Sequence, residues 1–244
     1  MKEKKKAALI TGANKGIGFE IARQLGLQGI TVYVGSRNEP RGITSVNRLT
    51  TEGIDARLAL IDVNDPGSIR DVAHLINEEY GHLDILINNA GIIDPADGTP
   101  GKTALSAIKR TFETNFFGSI RVTQEMLPLL LKAPAARIVN ISSGLGSLKL
   151  NQDPEWEFAD TKLIGYNASK AALNMLTVQL AWELKNSKIK VNSANPNFTD
   201  TDLVPGANGG RPVSDGARTA VELALLPEDG PSGSFFEDEL ILPW

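Results

Sequence analysis

Short apolar runs of strand length recur at about 7–11, 31–35, 56–61, 84–88, 136–141 and 189–194, with longer stretches of helical periodicity between them. That alternation admits few folds. Strand–helix–strand crossovers are almost always right-handed, so the expected product is an α/β protein: a single doubly wound parallel sheet of the Rossmann type with helices on both faces. With 244 residues, 41% hydrophobic and 22% charged, the chain has enough material for one full core. No internal repeat or long linker divides it, and one domain over 1–244 is expected.

Several functions are disfavoured at once. A formal net charge of −4 does not suit a surface built to neutralise a phosphate backbone, so nucleic acid is not an expected partner. The chain contains no cysteine, which removes disulfides, thiolate catalysis and thiolate-bound metals. His74 and His82 come without a carboxylate pattern that would suggest a metal site. The basic opening Lys2 to Lys6 reads as a solvated tail, because the apolar run behind it is too short for a signal peptide. No stretch approaches the roughly 18 apolar residues of a membrane span. The expectation is a cytoplasmic protein with no membrane partner.

The first strand, Ala7-Ala8-Leu9-Ile10-Thr11, runs straight into Gly12-Ala13-Asn14-Lys15-Gly16-Ile17-Gly18. A helix is expected from about Gly16 to Gln28, burying Ile17, Ile21, Ala22 and Leu25 and stopping at Gly29. Glycines at such a junction permit a tight bend and leave helix N–H groups free to meet a pyrophosphate. Gly12, Asn14, Lys15, Gly16, Ile17 and Gly18 are therefore candidate dinucleotide contacts. The second strand ends Val34-Gly35-Ser36-Arg37 with no acid to hold a ribose 2′-OH. Arg37, with Lys15, favours a 2′-phosphate, and the expected cofactor is NADP(H). Glu39 reads as an acid at the start of the next helix, and Arg37 and Lys15 have an alternative reading as solvated charges.

Far downstream, Tyr166-Asn167-Ala168-Ser169-Lys170 places a phenol and an ammonium one turn apart on one helix face. The same helix carries a core-facing stripe of Leu173, Leu176, Leu180 and Leu184. Reduction of a carbonyl leaves charge on its oxygen, and Tyr166 is the candidate acid that supplies a proton there. Lys170 is the candidate for lowering the phenol's pKa. Ser143, after the strand Arg137-Ile138-Val139-Asn140-Ile141, would present a neutral hydroxyl to the same oxygen. By chain chemistry alone Asn115 reads as a cap or kink within a helix.

The Gly-rich turn in its TGxxxGxG spacing, Asn88-Asn89-Ala90-Gly91, Asn115, Ser143-Gly144-Leu145-Gly146 and Tyr166 with Lys170 together resemble the short-chain dehydrogenase/reductase family. The likeness spans nearly the whole chain. It implies Asn115, Ser143, Tyr166 and Lys170 as the catalytic set, with Asn115 in a proton relay and Lys170 also holding the nicotinamide ribose. It further implies Asp62 and Val63 at the adenine and Asn89, Ala90 and Gly91 at the ribose. Pro196, Thr199 and Thr201 belong to a segment that meets the carboxamide, where Asn197 stands in place of the usual Gly, a change a left-handed backbone tolerates. Without the resemblance these loops read as punctuation.

Between Ser143 and Tyr166 lie 22 residues, an insertion that resembles the carbonyl reductase-like subgroup, as do Asn14 to Gly18, Asn115 to Gly118 and Leu225-Leu226-Pro227. Residues 147–165 read as a surface insertion, and Pro196 to Pro212 as a second irregular segment, both rimming the cleft. Ile92, Leu145, Trp156 and Phe198, with Ser143 and Tyr166, are the expected substrate lining. The expected activity is NADPH-dependent reduction of aldehydes, ketones or quinones. The alternatives are an NADP-dependent alcohol or hydroxysteroid dehydrogenase working oxidatively, or a nucleotide-sensing protein without turnover. The insertion beside Tyr166 leans the expectation towards a monomer, with dimers and tetramers common in the family.

Overall fold

The computed structural model describes residues 5–204 and 209–244. Lys2 to Lys4 of the basic opening and residues 205–208 of the second irregular segment lie outside them. Each apolar run forms a strand within one residue of its expected ends: β1 (Ala7–Ile10), β2 (Thr31–Ser36), β3 (Ala56–Leu60), β4 (Ile85–Asn88), β5 (Arg137–Ile141) and β6 (Lys190–Ala194). Two further strands, β7 (Phe235–Glu237) and β8 (Leu240–Ile241), complete an eight-stranded sheet in the order β3-β2-β1-β4-β5-β6-β7-β8. The β7–β8 pair is antiparallel, so the expected all-parallel sheet gains a short hairpin at one edge. Asp238, at φ 50°, makes its turn. Three- and two-residue strands carry too few positions for a period-2 pattern to register.

Strand alternation divides the core into two layers. Ala7 and Leu9 face one layer with Ile69, Ile76, Met126 and Leu180, while Ala8 and Ile10 face the other with Ile21, Leu25, Ala217 and Leu223. The first layer is covered by α3 (Pro66–Glu79), α5 (Ser119–Leu130) and α7 (Ile164–Glu183), and the second by α1 (Gly16–Leu27), α2 (Glu39–Thr51) and α8 (Val213–Ala224). Each fully buried aliphatic side chain in these layers contributes about 1.5–3 kcal/mol of transfer free energy. The leucine stripe of α7 behaves as expected: Leu173, Leu180 and Leu184 are buried and Leu176 packs partly buried against them.

The strand order reverses between β1 and β4, and this places the loops after β1, β4, β5 and β6 along one edge of the sheet, where open α/β proteins bind ligands. Two local departures shape that edge. Between α4 (Leu105–Phe112) and α5 the helix passes through a π-helical turn, Glu113–Gly118, which contains Asn115. The 147–165 insertion contains a short helix, α6 (Leu148–Asn151), instead of being irregular throughout, and α7 begins at Ile164, two residues before Tyr166.

Candidate active site

The Gly-rich turn is locked to the end of β4. The buried Thr11 hydroxyl accepts from the Asn89 and Ala90 N–H groups at 3.0 Å each, and Asn89 Nδ2 donates to the Thr11 and Gly12 carbonyls at 2.8 and 3.1 Å. Gly12 and Gly16 adopt φ of 64° and 56°, which a side chain would strain. Helix α1 starts with no side-chain cap and no acid in its first turn, whereas α2 and α3 are capped by Asn38 and Asp65. These features fit a dinucleotide: a helix end without an internal anion faces the ligand edge, and its backbone is left bare for close approach.

The remaining cofactor candidates fall into two groups. Arg37 is exposed at the end of β2, and Glu39 occupies the first turn of α2 as expected. Lys15 pairs with Asp202 at 3.0 Å, and the Thr201 methyl would lie 3.6 Å from a Cβ on Gly16, so the loop after β6 reaches over the Gly-rich turn. Asp62 accepts from the Asn64 N–H at 2.9 Å. Val63 is buried in the core, tight against Gly118. The Thr199 hydroxyl donates to the Pro196 carbonyl at 2.8 Å and so fixes the bend of its own loop.

Ser143, Tyr166, Lys170 and Asn115 come together. Tyr166 lies in the first turn of α7, buried, with the Ser143 hydroxyl close enough to its phenol to influence its titration. The neighbouring Ser142 hydroxyl is directed instead to the Lys170 carbonyl, at 3.5 Å. Lys170 Nζ donates to the Ile141 carbonyl at 2.7 Å and sits 5.6 Å from the Tyr166 ring centre. Asn115 clasps Ile92: its Oδ1 accepts from the Ile92 N–H at 2.8 Å, and its Nδ2 donates to the Ile92 carbonyl and the Ser169 hydroxyl, each at 3.0 Å. A Cβ on Gly91 would lie 3.4 Å from Asn115 Oδ1 and 3.6 Å from Lys170 Nζ, so both groups border one small space. The kink reading and the site reading of Asn115 meet in one residue, since the π-helical turn is what aims it inward.

Electrostatics here are set by burial. It pushes the Tyr166 phenol up to about 12, with the neighbouring Ser143 hydroxyl acting in the opposite direction, and pushes the Lys170 ammonium down to about 8. Lys170 is not among the groups that act on the phenol here: burial raises it and only the Ser143 hydroxyl opposes.

An aromatic wall stands beside the hydroxyl pair. Trp156 packs edge-on to Phe158 at 5.5 Å and Phe158 to Phe198 at 6.3 Å, with the Trp156 indole close over Gly144. Leu145 and Ile92 are partly buried nearby in sequence to Ser143 and Gly91. Phe158 was not legible as a site residue, because no period or motif marks it. Asn197 adopts φ 53°, as its place in the loop requires, and its side chain bonds Glu237. Glu237 and Asn195, which also bond each other, carried no sequence signal.

A reversed strand order, a bare helix end at the switch point and a Ser–Tyr–Lys cluster beside it define a dinucleotide-dependent oxidoreductase acting on carbonyl or hydroxyl groups. The chain belongs to the short chain dehydrogenase family, whose profile matches residues 6–211. It is 35% identical to carbonyl reductase [NADPH] 1 of Mus musculus, with 100% of each chain covered. To the (+)-neomenthol dehydrogenase of Arabidopsis thaliana it is 35% identical, over 94% of this chain and 95% of the other. The NADPH-bound carbonyl reductase from chicken fatty liver superposes with a TM-score of 0.85 at 27% identity, covering 99% of this chain and 100% of that one. Among the described residues no helix is long and apolar enough to cross a membrane.

Proposed function

We propose that the protein reduces aldehyde, ketone or quinone carbonyls at the expense of NADPH, with chain 1–244 working as one unit. The observation that carries this reading is the buried Tyr166 with the Lys170 ammonium 5.6 Å from its ring centre, one turn along α7 and held by the Ile141 carbonyl just before Ser143. When bound, the reduced nicotinamide supplies the hydride. Gly12, Asn14, Lys15, Gly16, Ile17 and Gly18 would hold its pyrophosphate side, Arg37 the 2′-phosphate, Asp62 and Val63 the adenine, and Asn89, Ala90 and Gly91 the ribose. Pro196, Thr199 and Thr201 would meet the carboxamide. NADPH is favoured over NADH because β2 ends without an acid and because relatives and a structural neighbour are NADPH-linked by name.

The Ser143 hydroxyl holds the substrate oxygen beside the phenol, and Tyr166 Oη gives that oxygen its proton as charge develops. A phenol near 12 at rest must be offset by several kcal/mol of phenolate stabilisation, at about 1.4 kcal/mol per unit. Lys170 supplies part of it and holds the nicotinamide ribose. Asn115, bordering the same space as Lys170, positions the relay that returns the proton. Trp156, Phe198, Leu145 and Ile92 line an apolar approach.

The oxidative reading, an alcohol dehydrogenase on a cyclic alcohol, draws support from the neomenthol dehydrogenase relatives, and the same Tyr166 would then accept the proton. A 340 nm assay with NADPH and NADH against aldehydes, ketones and quinones tests the proposal. Oxidation of NADPH that Tyr166→Phe reduces by about 10²- to 10⁴-fold supports it, whereas equal turnover by the variant refutes the acid assignment.

A further inference from the structure

Asp97 lies in the loop between β4 and α4 and belongs to no motif of the sequence. Its carboxylate spans 69 residues of chain to reach the start of α7. Oδ1 accepts from the Gly165 N–H at 2.9 Å and Oδ2 from the Tyr166 N–H at 2.8 Å. The next carbonyl, that of Gly98, accepts from the Ile164 N–H at 2.8 Å. The first three N–H groups of α7 are thus held by one dipeptide from another element.

Helix α7 needs this help. Its own flanking residue, Leu163, offers no side-chain cap, whereas α2 and α3 are capped by the residue that precedes them. The insertion delivers the chain to α7 through turns, and Tyr166 is the third residue of the helix, within the turn that frays most readily. The loop that carries Asp97 is itself braced: Asp94 accepts from the Ala96 N–H at 3.0 Å and from Arg110 Nε at 2.7 Å. Gly165 leaves room for the clasp, since a Cβ there would lie 2.9 Å from Asp97 Oδ2 and 3.3 Å from Ile108 Cα.

We propose that Asp97 is a positioning residue for Tyr166, clasping the first turn of α7 from the β4–α4 loop so that the phenol keeps its register against Ser143. The assignment rests on the catalytic reading of Tyr166 given above. A displacement of about 1 Å at a reacting group costs on the order of 10²-fold in rate, so a frayed first turn is felt in kcat before it is felt in cofactor binding.

The test uses the full chain with Asp97→Ala, Asp97→Asn and Gly165→Ala, the last displacing the carboxylate while keeping it. Hydrogen exchange over 160–170, NADPH binding by fluorescence, and kcat and KM are measured for each. Expected are faster exchange of the 164–166 amides by about 10-fold or more, kcat down about 10- to 100-fold, and KM for NADPH within about twofold for Asp97→Ala and Gly165→Ala. Asp97→Asn, whose one amide oxygen still accepts, should fall between Asp97→Ala and wild type. Unchanged exchange at 164–166 overturns the clasp. Protection lost evenly across the sheet, with kcat and KM worsening together and no rescue by Asn, overturns positioning in favour of a purely structural role. Should the wild type itself turn over no carbonyl, the exchange arm still decides the clasp, and the catalytic reading fails separately.

Discussion

The side-chain amide of Asn197 donates to Glu237 Oε1 at 2.6 Å and so ties the loop after β6 to the edge hairpin of the sheet. Asn195 Nδ2 bonds the other oxygen of the same carboxylate. Asn197 thus meets two demands at once: a backbone at φ 53°, which Asn tolerates better than most residues, and an anchor that a glycine could not provide. Asn197→Ala should lower the free energy of unfolding by about 2 kcal/mol, combining left-handed strain with a carboxylate oxygen left short of a donor. Asn197→Gly should cost less than half as much, because it loses only the anchor. Urea unfolding of the two variants side by side reads the difference, and equal losses would show that strain plays no part.

Gly18 is required for packing more than for its backbone angles. A Cβ there would lie 2.4 Å from Asn89 Nδ2 and 2.7 Å from the Gly12 carbonyl, and those two groups are already bonded to each other at 3.1 Å. A backbone carbonyl cannot swing aside, so Gly18→Ala should force α1 away from the turn. About 1–3 kcal/mol of stability should go with it, and the Kd for NADPH, followed by fluorescence titration, should rise at least about tenfold. An unchanged Kd would mean that the turn adapts without moving its N–H groups.

The parts legible in the sequence were those written in local pattern. The strand-to-helix turn at 11–18 announces itself because backbone demand and residue type coincide within eight positions, and Tyr166 with Lys170 because helical spacing fixes their mutual placement. The doubly wound parallel architecture followed from the alternation of strand and helix with right-handed crossovers. Asp97, Phe158 and Glu237 were not legible, since each acts on a residue 40 or more positions away and none alters a local period. The π-helical turn at Asn115 was only half visible: its effect, a kink, could be anticipated, while the direction in which it aims the amide could not.

Trp156 and Phe158, both from the insertion, pack edge-to-face beside Gly144, next to the proposed substrate approach. Such edge-to-face pairs contribute about 0.5–1.5 kcal/mol beyond the area they bury. Trp156→Ala should therefore lower kcat/KM for a bulky aromatic ketone by about tenfold, which corresponds to about 1.4 kcal/mol, and leave a short aliphatic aldehyde within about twofold. Steady-state kinetics on the two substrates test it. Equal losses on both would place Trp156 in support of Gly144 and Ser143 instead of in the substrate wall.

Lys170 makes a signed prediction about stability. Its ammonium is buried, donates to the Ile141 carbonyl and pairs with no carboxylate among the described residues, and burial brings it down to about 8 from 10.5. Between those two values the unfolded chain binds a proton that the folded chain has released, so stability rises with pH across the window and the penalty of a buried cation is fully present below it. The span amounts to about 3 kcal/mol at most. Lys170→Met removes this contribution, so the change in urea stability from pH 7.5 to pH 10 should be more positive in the wild type than in the variant. Identical changes in the two proteins would mean that Lys170 titrates in the fold as it does in the unfolded chain, and that the cleft is wetter than the packing around Tyr166 and Ile141 implies.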